Sequence, residues 1–389
     1  MHINRKKLKI GITIDVFNAI NGGVISTRRI VDSLRMRGHE VYVFACGTDI
    51  DDPYFVPMKA FYVPGAKRIM KKLKMPLAEP VDSLMRPIFK ELDIVHYMFP
   101  FWLGYKSLKL AKELNIPVVS TFHVQVEHIF KNIHFEPEYV INQGYKLLVN
   151  KLYNKTDFLF CPSKFAQNEI LRSGLTTPST VLTNGVSPIF TKQEIVRPKE
   201  LEDKFIIISV GRLTPEKSHL TIIEAILKSK YKDKVQLIIF GEGPLAASLL
   251  KAANSLPNQI KIDVVDAEEL AYNYNLANLY IHASEIETEG LAPLEASACG
   301  TPLLISDSPK SASGQFALNE KSLFTHGNVA DLTKKIDYWI EQPEELQTLG
   351  NKYAVEAGHY QISKVIDYIE DKYYELIENH LVPVHKMIN

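Results

Sequence analysis

Cysteine is scarce in this chain. Cys46, Cys161 and Cys299 are the only three in 389 residues, widely spaced and odd in number. Such spacing implies neither a disulfide framework nor a thiolate metal site. Each reads as a small buried apolar side chain, suited to a reducing cytoplasm. Long apolar runs are also missing: no stretch reaches 18 residues, so no membrane-crossing helix is expected. Excess charge of one sign is absent, with 45 basic and 45 acidic side chains. That balance argues against bulk nucleic-acid binding but leaves room for a local basic patch. No Gly-x-Gly-x-x-Gly follows any strand, which disfavours a dehydrogenase. Arg5, Lys6, Lys7 and Lys9 precede an apolar stretch, as in an export signal. Asp15 interrupts that stretch and no Ala-x-Ala-like site follows, so Leu8 to Ile14 reads as a buried strand and a cytoplasmic location is expected.

What remains is an ordinary globular composition, 46% hydrophobic and 23% charged. The length suggests two domains. In the first half, apolar runs at 9–15, 40–46, 93–98, 116–122 and 157–163 alternate with helical patterns such as 26–37. Val- and Ile-rich strands separated by helices predict a parallel sheet covered on both faces. The pattern restarts at 204–212 and continues at 235–243, 260–265, 279–284 and 302–307. The polar stretch 191–203 has the character of a linker. The predicted architecture is therefore α/β, two doubly wound domains facing a cleft. We divide it into 1–195, 196–360 and a C-terminal helix in 361–389. Ile362, Val365, Ile366, Ile369, Tyr373 and Leu376 form one apolar stripe on that helix. Bracing the first domain and packing on its own domain suit the stripe equally.

Four clusters carry candidate chemistry. In 284–300, Glu287 falls in the loop after a strand, Gly290 permits close backbone approach, and a helix starting near Leu291 holds Glu295. Free N–H groups there suit a phosphate, and Glu295 suits ribose hydroxyls. The same acids would also suit a helix start with no ligand. In 211–220, Arg212 and Lys217 bracket a turn and could neutralise a departing diphosphate. In 21–26, Gly22 and Gly23 follow the first strand. In 121–128, His123 sits at a strand's carboxyl end, where it can meet a sugar hydroxyl or align the reacting centre. His96, at another strand end, is a weaker candidate.

In order, these clusters resemble the family-4 retaining glycosyltransferases with the GT-B fold. The matching positions are Asn21 to Val24, His123, Asn184-Gly185-Val186, Gly211-Arg212 with Lys217, and Glu287 with Glu295. The resemblance implies that Arg212 and Lys217 hold the diphosphate of a nucleotide sugar, Glu295 its ribose, and Glu287 the transferred sugar. Gly23 and the backbone of Gly290 and Leu291 would also touch the donor, and His123 would serve the reacting centre. It implies no catalytic metal and no cofactor beyond the co-substrate, most commonly a UDP-sugar. Two departures stand out. Glu289 replaces the usual Phe, making the segment similar to that of bacterial diacylglycerol glucosyltransferases. The usual glycine near Val264 is also missing.

The acceptor is the least explicit element. The segment 59–74 carries Lys59, Lys67, Arg68, Lys71, Lys72 and Lys74 and no acid, with Ile69, Met70 and Leu73 interleaved. That pattern suits an anionic membrane surface, at on the order of 1 kcal/mol per cation, and hence a lipid acceptor. A solvated helical face is the plainer reading. A polysaccharide or small-molecule acceptor, an epimerase or phosphorylase, and a non-catalytic sugar-nucleotide binder are the alternatives.

Overall fold

The computed structural model describes residues 5–19, 21–47, 51–65, 67–72, 75–127 and 137–381. The chain forms two compact units. One is built from the residues up to Asn184 and from Ser363 onward, the other from Gly185 to Ile362. The division falls ahead of 191–203. That polar stretch is tied into the second unit, where Gln193 N–H donates to Asn275 Oδ1 and Arg197 to Asn278 Oδ1.

The first unit contains, in order, β1 (Lys9–Val16), α1 (Gly22–Met36), β2 (Glu40–Cys46), β3 (Phe55–Phe61), α2 (Lys67–Lys72), β4 (Leu77–Glu79) and α3 (Asp82–Phe89). It continues with β5 (Ile94–Tyr97), α4 (Trp102–Glu113), β6 (Val118–Thr121), α5 (Glu138–Lys151), β7 (Phe158–Cys161), α6 (Lys164–Arg172) and β8 (Ser179–Val181). The eight strands lie in the order β4-β3-β2-β1-β5-β6-β7-β8. In β1, Ile10, Ile12 and Ile14 are buried on one face and Thr13 and Asp15 on the other. Only a sheet covered on both sides buries both sets. The order reverses between β1 and β5, which puts the binding crevice of such a sheet beyond those carboxyl ends.

Two features go beyond the sequence reading. Helix α1 starts at Gly22, four residues before the 26–37 pattern, because Asn21 Oδ1 accepts from Val24 N–H at 3.0 Å and caps it. The β3–β4 pair is an antiparallel hairpin at the sheet edge, with α2 between its strands. Asp15 Oδ1 accepts from Ala78 N–H at 2.9 Å, and Cys46 Sγ lies 3.3 Å from Leu77 O, so the hairpin is fastened to the core.

The second unit contains β9 (Phe205–Val210), α7 (His219–Lys228), β10 (Val235–Phe240), α8 (Ala246–Ala253), β11 (Lys261–Asp263), α9 (Ala267–Leu276) and β12 (Leu279–His282). Then come α10 (Leu291–Ala298), β13 (Leu303–Ser306), β14 (Leu323–Phe324), α11 (Val329–Glu341) and α12 (Pro343–Ala357). Its six strands run β11-β10-β9-β12-β13-β14, all parallel, with the reversal between β9 and β12. At Ser363 the chain returns to the first unit with the body of α13 (Ile362–Leu381). Glu370 bonds Arg37 Nη1 at 2.7 Å and His39 Nε2 at 3.1 Å, and Tyr373 OH bonds buried His96 Nδ1 at 2.7 Å. The helix therefore braces the first sheet. Among the described residues no helix is long and apolar enough to cross a membrane.

Candidate functional site

The second unit's switch point is flanked by the turns after β9 and β12, the two segments that hold Arg212, Lys217, Glu287 and Gly290. The β9 turn is set by close backbone packing on the turn after β10. A Cβ on Gly241 would stand 1.9 Å from Gly211 O, and one on Gly243 would stand 2.5 Å from Leu213 O. Neither position accepts a side chain. Leu213 N–H donates to Glu242 O and Leu245 N–H to Leu213 O, locking the two turns together.

Within the β9 turn, Arg212 Nη2 lies 3.2 Å from Glu216 Oε1, and the Thr214 hydroxyl donates to the same oxygen at 2.7 Å. Burial would raise the Glu216 carboxyl, but the Arg212 charge and the Thr214 hydroxyl hold it below its ordinary range. Glu216 O accepts from Glu285 N–H at 2.7 Å, which ties this turn to the one after β12.

Lys217 and Glu287 form an ion pair through Nζ and Oε1, with side chains only 12% and 15% exposed. His282, the last residue of β12, brings Nε2 to 2.9 Å from the same Glu287 oxygen, and its Nδ1 lies 3.0 Å from Tyr280 OH. The Glu287 main chain is bridged to the segment after β13: Ala312 N–H donates to Glu287 O at 2.9 Å. Burial pushes the Glu287 carboxyl up. Lys217 and the His282 N–H outweigh it and hold the acid well below the usual carboxylate range. Glu287 is therefore ionised at neutral pH beside a largely buried cation.

Gly290 caps α10 with φ 104°. That backbone favours glycine, and a Cβ there would stand 2.9 Å from Ser313 Cβ. Leu291 begins the helix, whose first N–H groups have no intrahelical partner by geometry and receive no side-chain cap. Glu295 is buried one turn on. Burial and the Glu295 charge together push the Cys299 thiol up to about 12.

In the first unit, Gly23 lies inside the first turn of α1, close against Phe99. A Cβ would stand 2.9 Å from Phe99 Cε1 and 3.6 Å from His123 Cβ. His123 Nε2 is buried without a hydrogen-bond partner, and burial pushes the imidazole down to about 4. Ser26 donates to Asn184 Oδ1 at 2.8 Å, which links the first-helix motif to the Asn184 motif. His96 is committed to structure: it bonds Tyr373 OH and Thr121 Oγ1, and burial pushes it down to about 3. Lys67, Arg68 and Lys71 stand exposed on α2. Lys72 ends that helix, its side chain outside the described residues, as are Leu73 and Lys74.

The structure thus brings Lys217 and Glu287 into contact and sets Arg212, Gly290, Leu291 and Glu295 on the flanking turns and helix. It adds Glu216, Tyr280, His282, Gly241 and Gly243, which the sequence reading did not single out. The glycines had a visible signal, since a Gly-containing turn follows both β9 and β10. Among the described residues no three His, Cys, Asp or Glu side chains converge as a cation site.

Comparison with known proteins follows the same division. A model described as Glycosyltransferase Family 4 matches residues 20–189, and one described as Glycosyl transferases group 1 matches 191–354. The chain is 29% identical over 323 residues to an alpha-monoglucosyldiacylglycerol synthase of Streptococcus pneumoniae, covering 78% of this chain and 72% of that one. It is 25% identical to an enzyme of the same name from Acholeplasma laidlawii, covering 97% and 100%. Among solved structures, sucrose-phosphate synthase from Thermosynechococcus elongatus superposes with a TM-score of 0.75 at 17% identity, covering 96% and 100%.

Proposed function

Since the chain belongs to the glycosyltransferases with the GT-B fold, we propose that it moves a hexose, glucose or galactose, from a UDP-sugar to diacylglycerol or a related membrane lipid, with retention of anomeric configuration. The observation that carries this reading is the buried Lys217–Glu287 pair at the carboxyl edge of β9 and β12, beside Arg212.

Arg212 and Lys217 are the cations that take the donor diphosphate. They stabilise the charge that grows on it as the glycosidic bond breaks, in a site where little water competes. Glu287 meets hydroxyls of the transferred sugar and Glu295 those of the ribose. The N–H groups of Gly290 and Leu291 offer the phosphates the positive end of α10. Gly23 keeps the first-helix turn open to the donor, and His123, neutral at pH 7 with one nitrogen unpartnered, aligns the acceptor hydroxyl. No cofactor beyond the sugar nucleotide is assigned.

A lipid acceptor is supported by the names of the relatives from Streptococcus pneumoniae and Acholeplasma laidlawii. It is supported too by the surface around α2. Lys67, Arg68 and Lys71 are exposed there, Lys71 Nζ lies 5.7 Å from the Tyr62 ring centre, and Phe61 packs edge-on against Trp102. Trp102 and Tyr105 are nearly half exposed. Cations beside exposed aromatic rings suit the interface of an anionic membrane, on the cytoplasmic side where the sugar nucleotide is found. Sedimentation with phosphatidylglycerol vesicles tests the docking: reversing Lys67, Arg68, Lys71 and Lys72 to Glu abolishes it. Unchanged sedimentation would move the acceptor to a polysaccharide or small molecule.

A further inference from the structure

Glu287 does not stand alone with Lys217. Both of its observed bonds, from Lys217 Nζ and His282 Nε2, end on Oε1, and Oε2 takes part in neither. An ionised carboxylate only accepts, so His282 Nε2 carries a proton. Its Nδ1 lies 3.0 Å from the Tyr280 hydroxyl. The same hydroxyl donates to Val210 O at 3.4 Å. The Tyr280 and His282 rings stack with centroids 5.9 Å apart and planes 19° apart, on the central strand β12. Tyr280 and His282 are both almost fully buried. A continuous chain of contacts therefore runs from Tyr280 through His282 to Glu287.

We propose that His282 is a positioning residue for glycosyl transfer. Held in place by Tyr280, it pins Glu287 through Oε1 and turns Oε2 toward the donor sugar. The proposal rests on the reading of Glu287 as the group that meets that sugar. Lys217 alone would not achieve this. An ammonium on a four-carbon stem is a point charge that follows its strongest anion, and an arriving diphosphate competes for it. When Lys217 turns to the phosphate, His282 is the contact that keeps Glu287 in place. The other groups around the pair are Glu216, Arg212 and His219 from the β9 turn and the start of α7, and Glu295 from α10.

The test compares His282→Leu, His282→Gln and Tyr280→Phe with wild type. Gln keeps an N–H where Nε2 stands, and Leu does not. The readouts are UDP affinity by calorimetry and the pH profile of kcat, with whichever of UDP-glucose, UDP-galactose and GDP-mannose the wild type turns over in diacylglycerol micelles. Loss of a hydrogen bond to a charged group predicts that His282→Leu lowers kcat about tenfold to a hundredfold. UDP affinity should stay within about threefold, because His282 does not touch the diphosphate. The acid limb should move to higher pH, since burial then acts on Glu287 with one fewer stabilising contact. His282→Gln should restore most of kcat and the acid limb, and Tyr280→Phe should show part of the loss. Wild-type kcat in His282→Leu overturns the proposal. So does a lowered kcat with an unmoved acid limb and no rescue by Gln, the pattern expected of packing alone. Glu287→Gln separates the two levels. Full activity in that variant, or wild-type turnover of none of these donors, overturns the reading of Glu287 itself.

Discussion

Replacing Lys217 by Ala perturbs two properties that the structure lets one separate. The Lys217–Glu287 pair is largely buried, with side chains 12% and 15% exposed. Removing one partner of a fully buried pair costs roughly 3–5 kcal/mol, because the other charge is left without compensation. Here the His282 N–H stays on Glu287 and a little solvent reaches both side chains, so the expected loss is about 2–3 kcal/mol. Donor affinity should fall as well: one charge-assisted bond to a phosphate is worth about 1.5–3 kcal/mol, roughly tenfold to 150-fold in Kd. Adding Glu287→Gln distinguishes the two effects. A neutral amide needs no counterion, so the double variant should regain much of the stability and none of the UDP affinity. Stability of the second unit can be followed alone in a Trp102→Phe background. That leaves only Trp339, fully buried in that unit's core, as the fluorescent tryptophan. Urea midpoints and UDP calorimetry are the assays. A Lys217→Ala midpoint equal to wild type would refute the argument from burial. Wild-type UDP affinity would refute the assignment to the diphosphate.

The remaining expectations are simpler. Glu295→Gln removes the charge that accepts from the ribose, and UDP should bind about tenfold more weakly; unchanged calorimetry removes Glu295 from the donor site. His123→Ala should lower turnover by at least about tenfold and leave UDP affinity intact; unaltered turnover makes His123 a packing residue. Asp15 is buried with Oδ2 unpaired, and burial pushes its carboxyl up to about 7. A raised folded-state value means stability is greatest below the unfolded value near 4 and falls as pH rises through 7. Asp15→Asn should flatten that slope and be more stable than wild type at pH 8; an identical pH–stability curve would contradict it.

Strands such as 9–15 and 235–243 were legible because both of their faces are largely buried, which makes them rich in Ile, Val and Leu. The turns after β9 and β12 were legible because Gly, Arg, Lys and Glu are rarely grouped at a strand's end for packing alone. The β3–β4 hairpin was not legible. Its pairing depends on distant Asp15 and Cys46 holding Ala78 and Leu77, and no local periodicity records that. Helix α1 began early because its start is set by the Asn21 cap and by the fit of Gly23 against Phe99, not by the apolar stripe. His282 was hidden as the last residue of LYIH, an apolar strand in which a histidine reads as packing. Its meaning appears only when Glu287, five residues on, folds back onto it. The stripe on 361–378 showed that α13 is amphipathic but not what it covers. Bonds to Arg37, His39 and His96 supply the answer from more than 250 residues away.

The most direct test is release of nucleoside diphosphate from a panel of UDP- and GDP-sugars, with and without diacylglycerol in mixed micelles. The account predicts UDP release from one UDP-hexose that rises when diacylglycerol is present, with a glycosylated lipid as product. Release from a GDP-sugar alone, or release that diacylglycerol leaves unchanged, would contradict it.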